Sequence, residues 1–153
     1  MTDLPTIAVH CFADGDHLLR ISLELANTFS FHCHNASPSL DSLLGSWTES
    51  YLTRKEVPFR TIPDGTLFQQ KVWGNLVLIP FGAILSYGEL AQKIGNPNAQ
   101  RAVGGACHRN PYPLFIPCHR VVQANKKLGG FALDLEIKIK LLEFERGNAS
   151  LEE

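Results

Sequence analysis

Pro117-Cys118-His119-Arg120-Val121-Val122 sets a thiol beside an imidazole, behind a proline that fixes its own φ and carries no amide proton. A thiol becomes a nucleophile only as a thiolate, and a free cysteine near its ordinary pKa of about 8.5 is mostly protonated at neutral pH. His119 can accept that proton. In a regular strand, however, neighbouring side chains point to opposite faces. A direct bond between Cys118 and His119 therefore needs a bend or a bridging water. A histidine base works better when a carboxylate orients it. Glu136, Glu143 and Glu145 are the candidates on the last helix, and only Glu145 shares a face with Leu141 and Leu142. An acid on an apolar face needs a partner, because burying an unpaired charge is costly. His119 is the natural one. The competing readings are a buried structural cysteine, a core or surface histidine, and a solvated helix end.

A second cluster is unusual for what it lacks. Arg101-Ala102-Val103-Gly104-Gly105-Ala106 reads as a helix almost without side chains. Two adjacent glycines cost a helix interior about 1 kcal/mol each relative to alanine. That cost is justified if a duplex or a packed element must come close, and packing against the Cys118 segment is one alternative. Arg101, alone on this smooth helix, could enter a groove and replace an extruded base, or be a plain surface arginine. Asn110-Pro111-Tyr112-Pro113 is a stiff turn that an asparagine can hold by bonding backbone groups. Tyr87 and Phe131 could line a pocket for a planar base, or be ordinary core.

These groups must be held by a chain of 153 residues with 44% hydrophobic content and a formal net charge of −1. That is enough for one domain or two small ones. No apolar run approaches the roughly 20 residues that span a bilayer, and nothing resembles a signal peptide. Cys11, Cys33, Cys107 and Cys118 are too scattered for a disulfide framework, which points to a reducing, cytoplasmic setting. Charge is uneven. From Glu89 to Lys127 one acid faces Lys93, Arg101, Arg109, Arg120, Lys126 and Lys127. Such a field can attract phosphates while the molecule stays near neutral.

The pattern predicts an α+β chain. Thr6–Phe12 and His17–Leu25 read as strands about the turn Ala13-Asp14-Gly15-Asp16, with a third possible over Thr28–His34. Ser39–Lys55 has helical spacing of Leu40, Leu43, Leu44, Trp47, Tyr51 and Leu52. This gives a small N-terminal antiparallel sheet with one helix, spanning residues 1–60. Residues 61–150 read as an α-rich, winged helix-turn-helix-like domain. Thr66-x-x-Gln69 and Ser86-x-x-Glu89 are capping boxes. Asn98 is positioned to cap a helix to about His108. Ile116–Gln123 and Leu128–Phe131 flank a polar turn and could form the wing. Asp134–Arg146 closes the chain as a helix.

In this order the motifs resemble the O6-alkylguanine-DNA alkyltransferases, or methylated-DNA–protein-cysteine methyltransferases. The matching stretches are Gly65–Gln69, Val72-Trp73, Ile79–Gly82, Ser86-Tyr87-Gly88, Arg101–Ala106, Asn110-Pro111, Ile116–Val122, Gly129-Gly130-Phe131 and Leu141-Leu142-x-x-Glu145. The resemblance implies direct reversal of DNA damage. The protein would flip O6-alkylguanine, and in some cases O4-alkylthymine, out of duplex DNA and move the alkyl group irreversibly to Cys118. His119 would deprotonate Cys118 through a water, Glu145 would orient His119, and Asn110 would order the turn. Tyr87, Arg101, Ala102, Gly104, Phe131 and Ala132 would contact DNA or the flipped base, with Arg101 filling the space the base leaves. No cofactor would be needed, and a monomer would act alone on double-stranded DNA.

This chain departs from the family at Phe131, usually tyrosine, and at Ala132, where some members have serine. The N-terminal part is short and matches no motif. Some members hold a structural zinc there. Here Cys11, Cys33, His10, His32 and His34 follow no zinc spacing, so packed cysteines, exposed histidines and no metal are expected. Three other functions compete. An alkyltransferase-like lesion binder would lack the acceptor cysteine. A major-groove regulator would need Arg, Gln or Asn along its recognition helix. A cysteine hydrolase would need an oxyanion site.

Overall fold

The computed structural model describes residues 4–125 and 135–147. Three strands, β1 (Ile7–Gly15), β2 (His17–Leu25) and β3 (Ser30–Ala36), form a sheet in the order β2-β1-β3. β1 and β2 make the expected antiparallel hairpin, with Cys11 opposite Ile21. β3 does not continue that pattern; it pairs parallel to β1, with Cys11 opposite Cys33. The reason is the link. β2 ends where β1 began, and the short stretch after Leu25 stays at that end while crossing to the far side of β1. A strand starting there must run the way β1 runs.

Helix α1 (Pro38–Leu52) begins at Ser37, whose side chain accepts from the Leu40 amide. It buries Leu40, Leu44, Trp47 and Tyr51. Trp47 stacks on Phe115 at 4.3 Å, so the N-terminal part packs directly on the turn that precedes Cys118. The Ile21 amide also bonds the Pro111 carbonyl at 2.8 Å, and the Tyr112 hydroxyl donates to the Leu18 carbonyl at 2.6 Å.

Both capping boxes are present, at Thr66 for α2 (Leu67–Leu76) and at Ser86 for α3 (Tyr87–Lys93). α4 (Gln100–His108) starts later than the sequence suggested. Its N-cap is Ala99, with no side-chain bond, so Asn98 caps nothing. α3 and α4 meet as the two helices of the helix-turn-helix pattern, and Trp73 Nε1 ties α4 to α2 by donating to the Ala106 carbonyl at 2.8 Å.

The segment after the Asn110 turn corrects a further expectation. Ile116–Gln123 is not one long strand. Cys118–Arg120 is a single 3₁₀ turn, followed by the short strand β5 (Val121–Val122). β5 pairs parallel with β4 (Leu85–Ser86), which leads straight into α3. The proposed second wing strand, Leu128–Phe131, lies outside the described residues. α5 (Leu135–Arg146) closes the fold and buries Ile137, Lys138, Leu141, Leu142, Phe144 and Glu145. No helix among the described residues is long and apolar enough to cross a membrane.

Candidate active site

Cys118 and His119 sit in a 3₁₀ turn, not in a regular strand. Cys118 is 3% exposed and His119 fully buried. His119 Nε2 donates to Glu145 Oε2 at 2.5 Å, so the carboxylate fixes the tautomer. Its Nδ1 is buried, with no bonding partner among the described residues. That nitrogen is the free base of the pair. Burial is the main influence on His119 and lowers its pKa, against the opposing pull of Glu145.

Glu145 sits at the centre of the buried polar network. It is 4% exposed, yet its carboxyl is held down to about 2 because its charged and hydrogen-bonded neighbours outweigh the cost of burial. Arg120 Nε donates to Oε1 at 2.7 Å and the Tyr51 hydroxyl to Oε2 at 2.7 Å. Arg120 Nη1 also donates to the Ile79 carbonyl at 2.8 Å and pairs with Glu56 at 3.0 Å. A buried carboxylate survives only with this kind of saturation.

Burial pushes the Cys118 thiol up. Three influences work the other way: the Asn110 side chain, which bonds the sulfur, the Lys138 ammonium, and a backbone hydrogen bond from Cys118 itself. Asn110 also spans its own turn. Its Nδ2 donates to the Ile116 carbonyl at 2.8 Å and its Oδ1 accepts from the Tyr112 amide at 2.9 Å. Lys138 is fully buried and donates to the Val121 carbonyl at 2.8 Å. Burial lowers its pKa to about 8. Cys107, on α4, is close enough for the charge of a Cys118 thiolate to bear on it, and burial raises its thiol well above the ordinary range.

The structure thus brings Cys118, His119, Glu145 and Asn110 together. Tyr87 is half-buried beside them, and its phenol is raised to about 12, chiefly by burial. α4 presents Arg101, Ala102 and Gly105 to solvent, and buries Val103, Ala106 and Cys107. The packing explanation for its glycines fails. A Cβ on Gly105 would meet nothing within 4 Å, and one on Gly104 would make only ordinary contact with Tyr87 Cε1 at 4.0 Å. Phe131 and Ala132 lie outside the described residues.

Sequence reasoning missed three members of the site. Arg120 stands inside the Cys118 motif but was read as part of a basic surface; it is 1% exposed. Lys138 is two helical turns before Glu145 on the same face, a spacing that could have found it. Tyr51 looked like one more apolar position of α1. At the sheet, Cys11 and Cys33 are free thiols, and His10 bonds His34 and Glu24 at 3.0 Å each. Among the described residues no group of three or more His, Cys, Asp or Glu is placed to hold a metal ion.

The fold and this cysteine-centred network define a class whose sequence pattern is described as "6-O-methylguanine DNA methyltransferase, DNA binding domain", which matches residues 67–147. The chain belongs to that family. It is 49% identical over 140 residues to a methylated-DNA–protein-cysteine methyltransferase of Haemophilus influenzae, covering 88% of this chain and 78% of that protein. It is 50% identical over 91 residues to the enzyme of that name from Methanosarcina acetivorans, covering 60% of this chain but only 58% of the relative. The crystal structure of Mycobacterium tuberculosis OGT in complex with DNA superposes with a TM-score of 0.66 at 30% identity, over 93% of this chain and 94% of that one.

Proposed function

We propose that this chain repairs duplex DNA by taking the alkyl group of O6-alkylguanine onto Cys118, once per molecule. The observation that carries the reading is the relay: Cys118 next to a buried His119 whose Nδ1 is open and whose Nε2 is held by Glu145 at 2.5 Å. His119 takes the thiol proton through a bridging water. The thiolate attacks the alkyl carbon, the S–C bond forms and the C–O bond breaks. The electron pair leaves with O6 of guanine, which is restored on protonation. The thioether is stable, so no second turnover follows.

Asn110 orders the turn and stabilises the developing thiolate. Arg101 fills the gap left by the flipped base, while Ala102 and Gly104 let the duplex backbone approach. Tyr87 contacts the extruded nucleotide, and Phe131 and Ala132 are the further base-binding residues. O4-alkylthymine would be a second substrate of the same chemistry. The protein acts as a cytoplasmic monomer on double-stranded DNA, without a cofactor or metal. Residues 1–60 form a supporting unit for the reactive part, 61–150. Relatives of the same family named as cysteine methyltransferases, and one solved with DNA, support the substrate class.

Intact-mass measurement after incubation with a duplex containing O6-methylguanine tests this. The expected result is one added methyl on the protein and none on Cys118→Ser. Tight lesion binding without mass gain would instead mark a lesion-recognition protein. Arg101→Ala should slow transfer from duplex far more than transfer from the free base. Equal slowing would remove Arg101 from base extrusion.

A further inference from the structure

One carboxylate oxygen of the relay serves two donors. Glu145 Oε2 accepts His119 Nε2–H at 2.5 Å and the Tyr51 hydroxyl at 2.7 Å, and the second donor comes from 94 residues away in sequence. Tyr51 lies in α1, in the part of the chain that carries no recognisable motif. It is fully buried, wedged among Trp47, Phe81 and Phe144. Arg54, just after α1, donates to the carbonyls of Phe144 and Glu145, so α1 and the turn that follows it grip both the side chain and the backbone at the end of α5.

We propose that Tyr51 is a positioning residue that sets the proton affinity of His119 through the shared oxygen of Glu145, and so brings the N-terminal part of the chain into the reaction. Two donors on one oxygen compete for the same electron density. In a buried site, where hydrogen bonds are electrostatically strong, the phenol weakens the hold of Glu145 on an imidazolium. His119 is thereby kept as a neutral base beside Cys118 in the chain. The phenol can only donate, because Glu145 is ionised and burial beside it keeps Tyr51 protonated.

The other groups around His119 are Lys138 and Glu145 from α5, Arg120 from its own turn and the Cys118 thiol. Glu56, after α1, reaches the network through Arg120. Arg120 stays charged throughout, and Lys138, near 8, stays mostly protonated below about pH 7. Among the described residues, Tyr51 alone donates a hydrogen bond to the very oxygen His119 uses.

The inference rests on the proposed alkyl transfer, but its test does not need that reaction. In the full chain carrying Cys118→Ser, His119 is titrated by ¹⁵N NMR of its ring nitrogens, with and without Tyr51→Phe. Loss of the hydroxyl should raise the apparent pKa of His119 by about half a unit, about threefold in proton affinity. 3-Fluorotyrosine placed at position 51 keeps the packing and makes a stronger donor, so it should move His119 the opposite way. If Tyr51→Phe does not fold, the fluorinated protein decides alone. A His119 titration that follows neither change overturns the proposal. Failure of the unsubstituted protein to take up methyl from O6-methylguanine would overturn the function and leave this titration standing.

Discussion

Asn110 and Ile116 close the turn that delivers Cys118: Asn110 Nδ2 donates to the Ile116 carbonyl at 2.8 Å across six residues. Inside that loop Leu114 has φ of 76° and is fully buried. A left-handed leucine costs about 1–2 kcal/mol, so the clamp holds a strained backbone in place. Asn110→Ala leaves the Tyr112 amide unpaired, while the Ile116 carbonyl keeps the Cys118 amide at 2.8 Å. It should cost about 1–3 kcal/mol, the penalty of one orphaned buried group. The thiol also loses a donor. Methyl uptake at pH 7 should fall about tenfold, one pKa unit of thiolate, and recover partly at pH 9. A rate loss equal at both values would show that Asn110 acts on folding alone.

Gly104 and Gly105 make α4 less stable than it needs to be. Neither has the positive φ that would demand glycine, and neither position is crowded by the fold. Gly104→Ala with Gly105→Ala should therefore raise stability, by about 1 kcal/mol for each helical site. The same two methyl groups stand on or beside the exposed, basic face. Affinity for duplex DNA should drop at least about fivefold, about 1 kcal/mol. Denaturant midpoint and duplex binding, measured on the same protein, decide this. Unchanged binding would mean that no duplex backbone comes close to α4.

The starts of α2 and α3 were legible in the sequence because their signals are local: Thr66 with Gln69, and Ser86 with Glu89, specify their own N-termini. Glu145 was legible because an acid sharing a face with Leu141 and Leu142 must find a partner. What could not be read depends on distance along the chain. The parallel pairing of Cys11 with Cys33 is set by which side of β1 the link passes, and no residue encodes that. Arg120 and Tyr51 converge on Glu145 from 25 and 94 residues away. The 3₁₀ turn at Cys118 was disguised by the β-branched run that follows it. Pro117 was the one local hint that the strand is broken.

Glu145 makes stability depend on acid. Its carboxyl lies near 2 in the folded protein against an ordinary value of about 4.3. The unfolded chain therefore binds the proton first as pH falls. The stabilisation is complete above about pH 4.5 and drains away toward pH 2. His119 adds a loss of the same sign below about pH 6.5, since burial disfavours its charged form while the unfolded residue protonates freely. Glu145→Gln should cost about 3–5 kcal/mol at pH 7, as removing one partner of a buried ion pair does. It should also flatten the decline between pH 4.5 and 2. Urea unfolding across that range checks both. An unaltered acid slope would mean that Glu145 carries no charge in the native protein.

Lys138 has the opposite logic. Burial lowers it to about 8 from an ordinary value near 10.4. Below pH 8 both folded and unfolded chains carry the proton, and the cost of the buried ammonium is fully present. Between about 8 and 10.4 the unfolded chain binds more protons, so this residue makes stability rise with pH. Cys107 and Cys118 tilt the curve the other way, because burial keeps their thiols protonated where unfolded cysteine would ionise. The wild-type profile mixes these effects, and comparison with Lys138→Met isolates one of them. The stability difference, wild type minus variant, should climb across pH 8–10.4 and be level below pH 7. At pH 7 the variant should also take up methyl about tenfold more slowly, since the Cys118 thiolate loses the cation that favours it. A level difference across the alkaline range would mean that Lys138 keeps its full charge in the fold and that burying this ammonium beside Cys118 costs the protein no stability.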